Sequence, residues 1–188
     1  MAPGNSRFHR LRGWHIPVLL AVTLAYSYWY TALGPYAKLS TLGPGLPLEG
    51  RGFYTGAQAV EALSQLEESD RRTKYVALIL DVPFMILMAL LCKALIAFGI
   101  RHMNLVRPIW NFLFILPATC LLADFTEDSL IALTLATKSE LTGTLAGLAT
   151  ALKFTAYTPT IIVSLLMTVA GLCVWTIRKL HSDHKSPP

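Results

Sequence analysis

Long apolar stretches separated by short polar segments form the main pattern of this chain. Four of the stretches approach or exceed the roughly 20 residues that one helix needs to cross the hydrocarbon core of a bilayer. The pattern predicts spanning helices over residues 14–33, 75–100, 108–135 and 150–177. We therefore expect an all-α, polytopic membrane protein, with residues 1–188 forming one domain around a four-helix transmembrane bundle.

A short amphipathic segment lies between the first two predicted spans. Thr55 and Gln58 have the spacing of a helix capping box, and apolar residues recur behind them at helical spacing. The pattern predicts a helix over residues 55–70 that lies on the membrane surface or covers the mouth of the bundle. Gly and Pro are frequent in residues 34–53, which predicts an irregular loop before this helix.

Several large aromatic side chains end the first predicted span. They are Tyr26, Tyr28, Trp29 and Tyr30. Aromatic rings at a helix end are typical of the belt that anchors a protein at the membrane–water interface. An aromatic lid over a pocket is the alternative interpretation.

The composition excludes an ordinary soluble domain. Hydrophobic residues make up 54% of the chain and charged residues only 14%, whereas soluble domains carry about 25% charged residues. The net charge of +5 comes from Lys and Arg residues that lie mainly in loops and tails. These residues favour a topology with both termini in the cytoplasm, and no nucleic-acid binding is expected.

Three carboxyl groups in the third predicted span are the strongest functional signal. Asp124, Glu127 and Asp128 have i, i+3 and i+4 spacing, which places them within roughly 100° on one helix face. A charged group is expensive in hydrocarbon, so acids inside a span indicate a functional site.

The predicted topology brings other ionisable groups to the same depth. Asp81 of the second span, and Lys153 with Tyr157 of the fourth, reach the level of the three acids. In one interpretation the charges only fix helix packing at the lipid–water boundary. In the other they line a cavity and perform acid–base chemistry on a lipophilic small molecule.

The enzyme hypothesis assigns a role to each of these side chains. Asp124 and Glu127 would form the acid–base pair, and Asp81 would be the carboxylate that faces them. The remaining candidates would bind the substrate or tune the acids, and they are Asp128, Lys153, Tyr157 and Arg72. A cyclisation or an isomerisation is the reaction type that such a site suits.

Two other functions remain open. The first is a small-molecule or proton-coupled transporter, although the cytoplasmic half of the second and third spans is almost wholly apolar. The second is a structural or assembly subunit of a membrane complex. Gly143, Gly147 and Ala151 form a ridge of small residues on which a partner helix could pack closely.

No cofactor or metal site is expected. Cys92, Cys120 and Cys173 lie in apolar segments without the spacing of a disulfide framework or a zinc site. The histidines map to the predicted cytoplasmic end, away from the acids. The motifs G-x-S-x-G and H-E-x-x-H and the phosphate loop are all absent from the sequence.

Short motifs along the chain resemble a group of uncharacterised four-helix integral membrane proteins. They are A-x-x-A-L-x-x-L from Ala59, Arg72-x-x-Tyr75, Asp81 near Pro83, L-P-x-x-x-x-x-A-D-x-x-E from Leu116 and A-x-x-L-K-F from Ala149. The third helix of that group reads D-x-x-E-N, whereas this chain has Asp128 in place of the amide and Arg71 where a Gly usually precedes the Arg. The resemblance implies the four-helix fold and the importance of Asp124 and Glu127, and it carries no assigned activity.

Overall fold

A computed structural model describes residues 14–42, 47–105 and 107–183, which form helices and connecting turns without any strand. Within these ranges, four helical segments are long and apolar enough to cross a membrane. They are His15–Leu39, Glu68–His102, Pro108–Thr137 and Glu140–His181. The predicted all-α class is confirmed, and the four segments indicate a multi-pass membrane protein.

The first span changes its helix type before it ends. Helix α1 (His15–Tyr28) continues as one π-helical turn (Trp29–Leu33), and α2 (Pro35–Leu39) follows. The Gly34 amide closes the π turn by donating to the Trp29 carbonyl at 2.7 Å. Pro35 has no amide hydrogen to continue this ladder, so a new helix starts with proline at its first position. The predicted loop over residues 34–53 thus begins as helix.

Helix α3 (Gly56–Ser64) is shorter than the predicted 55–70 helix. The capping box is confirmed, because the Thr55 amide donates to Gln58 Oε1 at 2.9 Å and the Gln58 amide donates to Thr55 Oγ1 at 3.3 Å. Residues from Glu68 onward instead begin α4. Acids in a first turn stabilise a helix because they face the positive end of its dipole.

The central bundle consists of α4 (Glu68–His102), α5 (Ile115–Thr137) and α6 (Glu140–Asp183), with a 3-10 helix (Pro108–Phe114) before α5. Helix α4 has 35 residues and α6 has 44, so both extend well past the predicted spans. Arg101 and His102 in the last turn of α4 interact favourably with its dipole, which helps the helix to continue beyond the apolar run. Helix α1 packs mainly against α4.

Residues 47–54 and α3 lie over one end of the bundle. We call this end the α3 end, and we call these residues its cover. Leu48 and Tyr54 are fully buried there, and Leu63 packs in the same core as Ile131 of α5. The 3-10 turn Leu48–Gly50 lies in this cover. Covering the mouth of the bundle is one of the two placements that the sequence predicted for the amphipathic helix.

The ridge of small residues on α6 is occupied within this chain. A Cβ atom on Gly143 would lie 3.0 Å from Gly56 Cα, and one on Gly147 would lie 2.0 Å from the Tyr54 carbonyl oxygen. Ala151 is half-buried one turn further along. The close approach predicted from the ridge is therefore made at Gly143 and Gly147 by the chain's own α3 and the segment before it.

Candidate functional site

Lys153 joins two acids between α5 and α6. Its Nζ atom lies 3.2 Å from Asp124 Oδ1 and forms a second ion pair with Glu127 Oε2. All three side chains are buried. The i, i+3 spacing of the two acids turns both carboxyl groups toward α6, where one ammonium group serves both of them.

Two hydroxyl groups complete the contacts of these acids. Tyr157 donates a hydrogen bond to Asp124 Oδ2 at 2.8 Å, and the Thr150 hydroxyl donates to Glu127 Oε1. Thr150 and Tyr157 lie on the same face of α6 as Lys153, one turn before and one turn after it. Each acid thus contacts the ammonium group with one oxygen and a hydroxyl group with the other. We call these five side chains the Lys153 cluster.

Asp128 is buried beside this cluster, without a polar contact to any other described residue. Its side chain is only 5% exposed, and neither carboxyl oxygen has a hydrogen-bond partner among the described residues. It interacts electrostatically with Asp81, Glu49 and the acids of the Lys153 cluster. A buried polar group without a partner costs free energy, so this carboxyl group is the least satisfied part of the site.

Asp81 approaches the same acids from α4. It is half-buried and interacts electrostatically with Asp124, Glu127 and Lys153. At a rise of 1.5 Å per residue, Asp81, Asp124 and Lys153 each lie about 20 Å from the end of their helix that is nearest to α3. The residues that the sequence placed at one depth on three helices therefore do lie at one level.

Arg72 does not join this group. Its side chain is 79% exposed and forms a surface ion pair with Glu68, one turn away, at 3.4 Å. Lys74 follows it by two positions on the helix, so the two basic side chains point to nearly opposite faces of α4. The site prediction for Arg72 is corrected on this ground, since it is Lys74 that turns inward.

Lys74 forms a second buried ion pair, with Glu49 of the 3-10 turn. The lysine is fully buried and the glutamate is 8% exposed. Burial alone raises the pKa of Glu49, but the Lys74 ammonium group and its hydrogen bond outweigh this effect and leave the pKa below its ordinary value. The pair fixes the cover at the α3 end to α4.

Sequence reasoning missed this pair and the role of Thr150. Glu49 stands in a loop rich in Gly and Pro, where a charge ordinarily faces water, so no local pattern indicates its burial. A signal did exist for Lys74, because it precedes Asp81 by seven residues and therefore shares its helix face. Thr150 was detectable in the same way, three residues before Lys153.

The aromatic residues of the first span divide into two pairs. Tyr28 and Trp29 are 64% and 41% exposed, as expected of an interfacial belt. Tyr26 and Tyr30 instead face α4, where their hydroxyl groups donate to the carbonyls of Leu80 at 2.7 Å and of Ala77 at 3.1 Å. These two rings pack beside Asp81, with which both interact electrostatically.

The chemistry of the site is that of carboxyl, ammonium and hydroxyl groups. In the described part of the chain, no group of three His, Cys, Asp or Glu side chains is arranged to hold a metal ion. Cys92 and Cys120 are buried free thiols, and Cys173 is an exposed one. The groups at hand can orient a molecule and exchange protons with it.

No protein-family model, no curated protein and no solved structure matches this chain. The motif resemblance to four-helix membrane proteins therefore finds no support from a match. The candidate site is interpreted from its own geometry.

Proposed function

We propose that this chain is an intramembrane enzyme that catalyses proton transfer in a lipophilic small molecule, in a cyclisation or an isomerisation. The observation that carries the proposal is the contrast between Asp128 and its neighbours. Both Asp128 oxygens are buried without a hydrogen-bond partner among the described residues, next to acids whose oxygens are all in contact with Lys153, Thr150 or Tyr157.

This contrast assigns the roles differently from the sequence hypothesis. Asp124 and Glu127 are held at both oxygens, so they act as fixed charges that orient the site. Asp128 has no such contact at either oxygen within the described residues, so we assign to it the exchange of a proton with a bound molecule. Asp81 is the second carboxyl group, on the facing helix, and allows a proton to be taken at one position and delivered at another.

The surroundings of the site suit a lipophilic substrate. Asp81 and Tyr157 are only half-buried, so the site extends from the buried acids to the outer surface of the bundle. Apolar side chains flank Tyr157 one turn away on either side, and these residues, Phe154 and Ile161, are 41% and 40% exposed. A molecule dissolved in the bilayer can therefore approach Asp81 and Tyr157 without passing through water.

Deuterium uptake from solvent tests the proposal even though the substrate is unidentified. The purified protein in lipid nanodiscs is incubated in D2O with a lipid extract of its own host. Mass spectrometry then follows deuterium bound to carbon. We expect uptake by one lipophilic compound, and a fall of at least about 100-fold in the rate for Asp128→Asn and for Asp81→Asn, the lower range for a lost general acid or base.

Glu61→Gln is the matched control, because it makes the same kind of change at an exposed position on α3. It should take up deuterium at the wild-type rate. Wild-type uptake in both site variants, with normal amounts of protein in the membrane, would contradict the assignment of these acids. Absence of uptake in every fraction of the extract would count against the enzyme itself.

Transport is the second candidate, because hydroxyl groups continue along the buried face of α6 beyond the Lys153 cluster. Thr160 and Ser164 are each 1% exposed, and the Thr160 hydroxyl lies 3.1 Å from Cys120 Sγ. Both hydroxyls also donate to the carbonyl one turn earlier at 2.7 Å. Sealed vesicles that contain a pH-sensitive dye discriminate the two functions, since only a proton-coupled carrier would change the internal pH faster than protein-free vesicles do when the same substrate is added.

A further inference from the structure

The buried charges at the α3 end do not balance among the described residues. Two ammonium groups face five carboxyl groups, and these residues are Lys74, Lys153, Glu49, Asp81, Asp124, Glu127 and Asp128. Lys74 pairs with Glu49, and Lys153 serves two acids of its cluster. Asp81 and Asp128 then have no ion pair with any Lys, Arg or His of the described ranges. Within the described ranges, these two side chains therefore lack a positively charged partner.

The missing positive charge is most evident at Asp128. The residue is only 5% exposed, and both carboxyl oxygens lack a partner in the part of the chain that is described. A buried carboxylate without a cation or a donor is strongly disfavoured. A bound cation with hydrogen-bond donors would supply both missing interactions.

Aromatic rings pack against α4 one turn before Asp81, where the Tyr30 hydroxyl donates to the Ala77 carbonyl at 3.1 Å. Tyr30 interacts electrostatically with Asp81 and Asp128. Its ring centroid lies 5.4 Å from that of Tyr36 and 6.2 Å from that of Phe84. Carboxylates beside aromatic faces are the combination that attracts alkylammonium groups, because the face of each ring is electronegative.

The lipid-facing surface next to the acids defines the rest of the ligand. Phe154 and Ile161 are 41% and 40% exposed, and they lie one turn before and one turn after Tyr157, whose hydroxyl contacts Asp124. An apolar chain attached to the cation can lie along these side chains in the bilayer, where burial of each methylene group contributes about 0.8 kcal/mol. A metal ion would gain nothing from this surface.

We infer that the site binds a lipophilic amine in its protonated form, with the ammonium group between Asp81 and Asp128 and the apolar part in the bilayer. The inference rests on the proposed function, since it places the substrate at the same site, and it specifies the chemical class of that substrate. The amine N–H group donates to Asp128, and the rings around Tyr30 contact its alkyl substituents.

A matched pair of probes tests the inference. N,N-dimethyldodecylamine is protonated near pH 7, whereas N,N-dimethyldodecanamide has the same chain length and remains neutral. Binding of each radiolabelled probe is measured by equilibrium dialysis on the full protein in nanodiscs, with protein-free nanodiscs subtracted for partition into lipid. We expect the amine to bind at least about tenfold more tightly than the amide, the difference that one charge-assisted hydrogen bond supplies.

Variants assign the binding to the two acids. Asp128→Asn and Asp81→Asn should each weaken amine binding about tenfold and leave amide binding unchanged, while Glu61→Gln should change neither. Asp81 is half-buried, so its variant keeps the test valid if Asp128→Asn fails to fold. Equal binding of amine and amide, or full amine binding in a folded variant of either acid, would overturn the inference.

The two proposals fail in different ways. Amine binding that depends on Asp128, without deuterium uptake by any compound, would support the binding site and contradict the enzyme. Deuterium uptake by a compound without basic nitrogen, together with equal binding of the two probes, would support the enzyme and overturn the amine as its substrate.

Discussion

The two halves of the bundle use the same three helices in opposite ways. In the half at the α3 end, which we call the site half, α4, α5 and α6 bring buried charges together. Asp128 lacks a polar partner there within the described ranges. In the other half, which we call the packing half, the backbones of α4 and α6 are in contact. A Cβ atom on Gly99 would lie 2.3 Å from the Met167 carbonyl oxygen, and one on Gly171 would lie 3.1 Å from Gly99 Cα.

Polar groups in that second half are satisfied locally. The hydroxyls of Thr160, Ser164 and Thr168 each donate to the carbonyl one turn earlier at 2.7 Å. Close backbone packing and satisfied hydroxyls stabilise helix association in a membrane. The packing half therefore stabilises the association of the helices. This stability allows the site half to retain buried charges that destabilise it.

The largest effect is expected from removing the cation that the site half depends on. Lys153→Met leaves Asp124 and Glu127 buried without their ammonium group, which should lower the free energy of unfolding by about 3–5 kcal/mol. Thermal unfolding in detergent, followed with a thiol-reactive dye that labels Cys92 and Cys120 as they become exposed, measures the change.

Lys38→Met is the matched control, because Lys38 pairs with Asp70 at 3.3 Å but is 54% exposed. An exposed ion pair contributes only about 0–1 kcal/mol. Adding Asp124→Asn and Glu127→Gln to Lys153→Met should restore much of the lost stability. Equal losses for the two lysine variants would remove the distinction between buried and surface charges.

Acid should release the cover of the site half. The pKa of Glu49 in the folded protein is below its ordinary value of 4.5, so its ion pair with Lys74 contributes stability that is complete above that pH. The contribution is lost as the pH falls through the lowered pKa. Glu49→Gln leaves Lys74 buried without a counter-ion, and we expect it to cost about 3 kcal/mol at pH 7.

Unfolding measured between pH 7 and pH 3 checks this sign. The difference between the wild type and Glu49→Gln should stay constant down to about pH 4.5 and then shrink, because the wild type also loses the charge of Glu49. Glu61→Gln, at an exposed position, should follow the wild type throughout. A difference that is as large at pH 3 as at pH 7 would mean that the charge of Glu49 does not contribute.

The smallest effect is expected in the packing half. Gly99→Ala forces α4 away from α6 at Met167, and overpacking of this kind costs about 1–3 kcal/mol. Gly52→Ala is the control, since a Cβ there meets nothing within 4 Å. Amine binding by Gly99→Ala should equal that of the wild type. A loss of binding as large as the loss of stability would show that the two halves are not separable.

The spans and the facing acids were predictable because both depend on short-range periodicity. The length of each apolar run predicts a spanning helix, and the i, i+3, i+4 spacing of Asp124, Glu127 and Asp128 places them on one face. The division among them was not predictable. The rotation of α5 against α6 determines which acids contact Lys153 and which one has no polar partner among the described residues.

The cover at the α3 end was equally hidden. Glu49 is buried because residues 47–54 fold back over the bundle, and no periodicity in a loop rich in Gly and Pro indicates such a path. Arg72 is a different case, because helical periodicity does indicate its position. The prediction placed this basic residue in the site from its nearness to a span end and did not consider its helix face. Comparing its position with that of Lys74 on the helical wheel would have corrected the assignment.

The closed α3 end also determines which concentration of a ligand, that in the lipid or that in the buffer, controls its binding. Leu48 and Tyr54 are fully buried in the cover, while Asp81 reaches the flank of the bundle. For the proposed amine, occupancy of the site should then follow the mole fraction of the amine in the bilayer rather than its molar concentration in the buffer. Adding empty lipid at constant ligand should dilute the occupancy, whereas adding buffer should leave it nearly unchanged.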